Sequence, residues 1–190
     1  MGKKQEERIL AALAGMGEPG EGPGRLLLSK VEPVAEELAA ALREHPAAEK
    51  VEIAGSVRRR AETSKDIDLI ATAEKPKKLA EHLANHPLIA AAGTPGANGV
   101  RAQTHNGVSV DLRIVPPAEF GNLLQHFTGS KAHNVQLREA AVAKGLSVSE
   151  HGITDTESGD VTLCATEAEV YERLGYSYIE PELREGRGEL

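Results

Sequence analysis

Asp66-Ile67-Asp68-Leu69-Ile70-Ala71-Thr72-Ala73 is the stretch on which the fold turns. On a β-strand, successive side chains take opposite faces. Ile67 and Leu69 then enter a core, and Asp66 and Asp68 share the other face. Two carboxylates this close repel each other, and cations between them relieve the repulsion. Val108-Ser109-Val110-Asp111-Leu112-Arg113-Ile114 repeats the pattern. Its apolar face is Val108, Val110, Leu112 and Ile114, and Asp111 lies with Ser109 and Arg113 on the polar face. If the two strands are neighbours, three carboxylates meet on one sheet surface. Hard oxygen ligands of this kind suit Mg²⁺, which keeps waters and binds substrate phosphates.

Upstream, Val51 to Ala54 alternates as a strand and is broken by Gly55-Ser56-Val57-Arg58-Arg59. Gly55 permits a sharp turn and close backbone approach to a ligand. A short helix starting there would aim free N–H groups at an anion. Ser56 adds a hydroxyl, and an arginine can clamp phosphate oxygens in bidentate fashion. Before this strand, Ser29 and Glu32 read as a capping box for an amphipathic helix ending near His45-Pro46, with Val34, Leu38, Ala41 and Leu42 on one face. After the Asp-x-Asp strand, Pro76 to Asn85 reads as a helix. Val100 to His105 and Val108 to Val115 flank Asn106-Gly107, a hairpin signal because both central positions want positive φ. The result is a mixed sheet with helices packed on it.

From Pro116 the pattern changes. Residues 117–127 and 131–144 read as helices joined by Thr128-Gly129-Ser130. Short strands and the turn Asp155 to Asp160 follow Gly145. Thr166 and Glu169 form a capping box for a helix to Leu174, and the tail from Glu180 reads as weakly ordered. The expected class is α+β: a palm of mixed sheet with helices on one face over 25–115, then a small α/β thumb over 116–190. Residues 1–24 hold a short helix over 5–14 and the linker Gly17 to Gly24. That linker lacks the Gly-Lys-Ser/Thr ending of a phosphate loop.

Composition narrows the function. With 190 residues, 40% apolar but only 3% aromatic and no Trp, the core must come from aliphatic residues, and base-stacking platforms are scarce. A net charge of −7 gives no bulk attraction for DNA. Contact must rest on metal ions or on local basic runs such as Arg58 to Arg60 and Lys75 to Lys78. The single Cys164 rules out an internal disulfide, which suits a reducing cytoplasm. No apolar run approaches the roughly 18 residues of a membrane span. His82 and His86 share helical spacing without further ligands, and His105, His133 and His151 are isolated.

Three segments in order now carry a resemblance. Ala54 to Asp68 (AGSVRRRAETSKDID), Val110-Asp111-Leu112-Arg113, and Phe127 to Arg138 (FTGSKAHNVQLR) resemble the palm, third-carboxylate and thumb-opening motifs of the X family of DNA polymerases, in particular its bacterial and archaeal members. The resemblance runs from about Arg25 to Arg184. It implies that Asp66, Asp68 and Asp111 are catalytic and hold two Mg²⁺ ions, with Mn²⁺ able to substitute. It implies that Gly55, Ser56 and Arg59 bind the triphosphate of a dNTP, that Phe127, Gly129, Lys131 and Asn134 line its sugar and base, and that Arg138 contacts the template. The implied activity is templated addition of deoxynucleotides to a primer 3′-hydroxyl, in repair or gap filling, by a cytoplasmic monomer. A template-independent transferase acting on a small molecule, RNA or protein keeps the same chemistry. A catalytically dead binding module would lack it.

This chain departs from the pattern at His126, where animal members carry Tyr, and at Lys131, where animal polymerase β is acidic. Lys3 to Leu10 resembles the end of a helix-hairpin-helix domain, so the expectation is either a core cut from a longer chain or a short natural protein. A palm and thumb of net charge −7 should hold primer–template DNA weakly. Extension is expected to be feeble, helped by Mn²⁺, and lost in about 0.5 M salt. A gel-based extension assay over a salt series checks this, and undiminished product at the high end would contradict a weak grip.

Overall fold

The computed structural model describes residues 24–190. The expected helix over 5–14 and nearly all of the Gly/Pro linker lie outside the described residues. The described residues open with β1 (Leu26–Leu27) and α1 (Leu28–Glu44), then β2 (Ala48–Ile53), α2 (Gly55–Arg58), β3 (Thr63–Ser64) and β4 (Asp66–Ala73). Next come α3 (Pro76–Ala84), β5 (Ile89–Ala92), β6 (Gly99–Thr104) and β7 (Ser109–Ile114). After a 3₁₀ turn at Pro117–Glu119 follow α4 (Phe120–Thr128), α5 (Lys131–Val142), β8 (Leu146–Ser149), β9 (Gly152–Asp155), β10 (Val161–Thr162) and α6 (Glu167–Arg173).

Five strands form one mixed sheet in the order β2-β4-β7-β6-β5. β4 and β7 run parallel at its centre, and the other pairs are antiparallel. The parallel pair needs a crossover, which α3, β5 and β6 supply. Ile67, Leu69, Ala71, Val110, Leu112 and Ile114 pack beneath α1 and α3 in the main core. Ile70, on the opposite face, is covered by Phe120, Leu123 and Leu124 of α4. The rest of that face, toward the start of β4, carries Asp66 and Asp68. A second cluster holds Leu137, Ala141, Leu146, Val148, Ile153, Val170 and Tyr171, closed by the small sheet β10-β9-β8.

Several expectations shift. The capping box at Ser29 does not form. The N-cap is Leu27 without a side-chain bond, because Leu28 N–H already donates to Glu62 C=O at 2.8 Å beside the β1–β3 pair. The buried stripe of α1 is Val31, Ala35, Leu38, Ala39 and Leu42, so Val34 and Ala41 stand at its edge. The β6–β7 hairpin is real, but only Gly107 has positive φ (79°), not Asn106. Thr104 accounts for this: its hydroxyl accepts from Val108 N–H at 3.0 Å and closes a wider loop. The Thr166–Glu169 capping box forms as read.

The largest correction is the tail. Arg184 is fully buried, and Pro181, three residues before it, is also buried. Arg184 Nη1 donates to Glu167 Oε1 at 2.6 Å, and Arg58 Nη2 donates to Glu167 Oε2 at 2.6 Å. Burial alone would raise the Glu167 carboxyl, yet the hydrogen bond from Arg58 and the charge of Arg184 hold it below its usual range. One carboxylate therefore ties α2, α6 and the tail together. His133, also fully buried, bonds Tyr171 Oη and Glu189, both at 2.8 Å, and draws residues near the C-terminus onto α5. Removing one member of a buried ion network strands the others without compensation. Glu167→Ala is expected to cost about 3–5 kcal/mol, read as a lower denaturant midpoint, and a cost under about 1 kcal/mol would show that the network is dispensable.

Candidate active site

The parallel register sets Asp68 of β4 directly beside Asp111 of β7, and Asp66 beside Ser109. Asp66, Asp68 and Asp111 thus share one face of two adjacent strands. Ile67, Leu69, Val110 and Leu112 explain the orientation, since all four are buried on the other face. A slip by one residue would turn the aspartates into the core.

α2 begins at Gly55, whose φ is +63°. A Cβ there would stand 2.1 Å from Asp68 Oδ2. Only glycine allows both the left-handed turn and this approach, so the Gly-Ser turn and the carboxylates form one surface. Asp68 is pushed up to about 7, first by burial and then by the charges of Asp66 and Asp111, against the lowering pull of Arg113 and Arg59. Asp111 is held by two arginines instead. Arg113 Nε lies 3.2 Å from Oδ1 and Arg101 Nε 3.4 Å from Oδ2.

Among the described residues, no three His, Cys, Asp or Glu side chains close into a metal cage. The donor set still fits divalent cations of the Mg²⁺ type. Three oxygen donors share a face, one is pushed up to about 7 by burial and then by its neighbours' charge, and Mg²⁺ completes its shell with water and phosphate rather than a protein cage.

Beside the carboxylates lies a pocket of about 320 Å³ lined by Gly55, Ser56, Arg59, Asp68, His126, Phe127, Gly129, Lys131, Asn134 and Arg138. Every residue assigned to nucleotide or template from the sequence therefore lines one hollow. Ser56 Oγ is 2.7 Å from Ser64 Oγ. Arg59 donates through Nη1 to Thr128 C=O, while its buried Nε has no partner. Burial pulls the Arg59 guanidinium below its ordinary value. The Asn134 amide is occupied, accepting from Gln125 Nε2 at 2.9 Å and donating to His126 C=O at 2.7 Å. Phe127 lies under the Arg113 guanidinium, 5.4 Å from ring centre to Cζ. Lys131 and Arg138 are exposed on α5.

Sequence reasoning missed Arg58, Thr128, Glu167, Arg184 and Arg101. Arg58 stood in the sequence only as part of a local basic run for nucleic-acid contact, but it donates to Thr128 Oγ1 at 2.7 Å and to Glu167. No periodicity marks an arginine that pairs 109 positions away. Strand alternation does put Arg101 on the polar face of β6, but its pairing with Asp111 depends on strand order.

A carboxylate-bearing mixed sheet with a Gly-Ser turn, followed by a helical module that walls the same pocket, defines a nucleotidyltransferase palm joined to a thumb. Residues 123–185 match the family model of the DNA polymerase beta thumb. The whole chain is 36% identical, over 191 aligned residues, to the DNA polymerase/3′-5′ exonuclease PolX of Bacillus subtilis, of which the alignment covers 33%. It is 35% identical over 86 residues to rat DNA polymerase lambda and 36% identical over 78 residues to human DNA-directed DNA/RNA polymerase mu. Each of these matches takes 40% of this chain, and they take 15% and 16% of the respective relatives. This chain belongs to the X family of DNA polymerases, and it spans about a third of the length of the bacterial relative.

The raised Asp68 carboxyl has a pH consequence. In the unfolded chain an aspartate titrates near 4; in the native protein Asp68 holds its proton to about 7. The folded state therefore gains from this group at low pH, and the gain is lost as pH rises between the two values. In EDTA, the thermal midpoint of Asp68→Asn should exceed that of the wild type increasingly from about pH 5 to pH 8. A pH-independent difference between the two curves would refute the assignment.

Proposed function

We propose that the chain is a DNA-directed DNA polymerase core that extends a primer 3′-hydroxyl with deoxynucleotides, in gap-filling repair. The observation that carries this reading is the side-by-side register of Asp68 and Asp111 against the Gly55 turn, with the nucleotide pocket opening from it. The family named above supports DNA as the partner. The single buried Cys164 suits a reducing cytoplasm, and among the described residues no helix is long and apolar enough to cross a membrane.

The chemistry needs positioning and charge compensation more than covalent help. Ser56, the α2 backbone N–H groups and the Arg59 guanidinium receive the β- and γ-phosphates. Phe127 and Gly129 flank the sugar. Lys131 and Asn134 flank the base, and Arg138 reaches the template. Asp111 orients the 3′-hydroxyl and draws its proton as the new 3′-oxygen–phosphorus bond forms and the bond to pyrophosphate breaks. Asp66, Asp68 and Asp111 would hold two Mg²⁺ ions, which when bound supply charge neutralisation at the attacking and leaving oxygens.

Asp111→Asn preserves size and removes the charge. It is expected to reduce incorporation on a gapped duplex by at least about 10³-fold, with the thermal midpoint and nucleotide binding largely kept. Primer extension with Mg²⁺ and with Mn²⁺, with and without template, reads this. Equal activity of mutant and wild type would overturn the carboxylate assignment. Incorporation indifferent to template would favour a template-independent transferase.

A further inference from the structure

The polar face of the sheet does not end at Asp111. β6 borders β7 on the side away from β4, and Arg101 stands opposite Asp111 across that pair. The next pair along the same face is Gln103 and Ser109. Arg101 touches Asp111 at 3.4 Å, yet 77% of its side chain remains exposed. Arg113 differs: it also pairs with Asp111, but its guanidinium sits over Phe127 and its side chain is 38% exposed. Beside Arg101 lies an open cleft of about 350 Å³, lined also by Gly93, Asn98, Asp111 and Arg113.

What this arginine meets follows from the direction of the reaction, so the inference rests on the polymerase reading above. In phosphoryl transfer the attacking and leaving oxygens lie roughly in line on opposite sides of phosphorus. The triphosphate pocket of Gly55, Ser56 and Arg59 sits on the β4 side of the carboxylates. The strand that brings the attacking hydroxyl must then arrive from the β7 side and run out over β6. Neighbouring strands are about 4.8 Å apart, so a long guanidinium side chain on β6 lies under the first phosphate behind that hydroxyl. A phosphodiester there would face three carboxylates in a chain of net charge −7, and it needs a local cation. We propose that Arg101 grips the backbone phosphate next to the primer 3′-hydroxyl, and that it pairs with Asp111 only while the primer is away.

The rival role is a prop that merely holds Asp111 in place. Fluorescence anisotropy with a primer–template duplex, and steady-state extension on the same duplex, separate the two. Arg101→Ala is expected to weaken duplex binding about tenfold and to flatten the salt dependence of binding by about one unit of log–log slope. The KM for primer should rise while the KM for dNTP and the thermal midpoint stay within error. Arg101→Lys, which keeps the charge, should retain most of the affinity. An Arg101→Ala protein with wild-type duplex affinity and salt slope overturns the proposal. So does a loss of kcat with the primer KM unchanged, which is the signature of a prop. A wild type that binds duplex through Arg101 without extending it overturns the polymerase reading and leaves the strand contact standing.

Discussion

The parallel register of β4 and β7 is the constraint on which the rest depends. It brings Asp68 and Asp111 side by side although their charges repel. What holds them there is on the other face of the same strands. Ile67, Leu69, Val110 and Leu112 are almost completely buried, and full burial of four such side chains is worth about 6–12 kcal/mol. Against this, lifting the Asp68 carboxyl to about 7 corresponds to roughly 4 kcal/mol. Hydrophobic burial wins, and the unfavourable electrostatics stay at the site, where bound cations would relieve them.

A second constraint joins the two halves of the molecule. Glu167 is nearly inaccessible and pairs with Arg58 of α2 and Arg184 of the tail together. Arg58 is three residues from Gly55, where the turn proposed to face phosphate begins, and neighbours Arg59, whose Nη1 reaches Thr128 at the end of α4. The ion network therefore fixes the angle at which α4 and α5 wall the pocket. A bonding pattern of this kind adds little net stability by itself. Its effect is to specify which surfaces meet, and the surfaces it joins carry the residues proposed to bind nucleotide.

Charge is distributed along the same logic. The chain is acidic overall, and its cations near the site are each committed to a direction: Arg59 toward the phosphate turn, Arg113 over Phe127, Lys131 and Arg138 outward from α5, and Arg101 toward the open cleft on β6. Such placement would give DNA a few point contacts in place of a positive field, with each contact adding about one unit to the salt slope of binding.

Much of the site was legible in the linear chain. Alternation in Asp66 to Ala73 and Ser109 to Ile114 established both strands and the face of each aspartate, because a period of two survives any packing. The order Gly55-Ser56, Asp66-x-Asp68, Asp111, then Phe127 to Arg138 carried the family. What tertiary structure alone decided were the pairings across distance. That Asp68 matches Asp111 in register, that Arg101 faces Asp111, that Thr104 widens the hairpin loop, and that Glu167 binds both Arg58 and Arg184 depend on strand order and on which charged groups are desolvated together. The tail from Glu180 shows the reason most clearly. Its composition is that of a solvated segment, and Arg184 is buried only because a carboxylate from another element is buried with it; no local pattern encodes a partner that folding alone supplies.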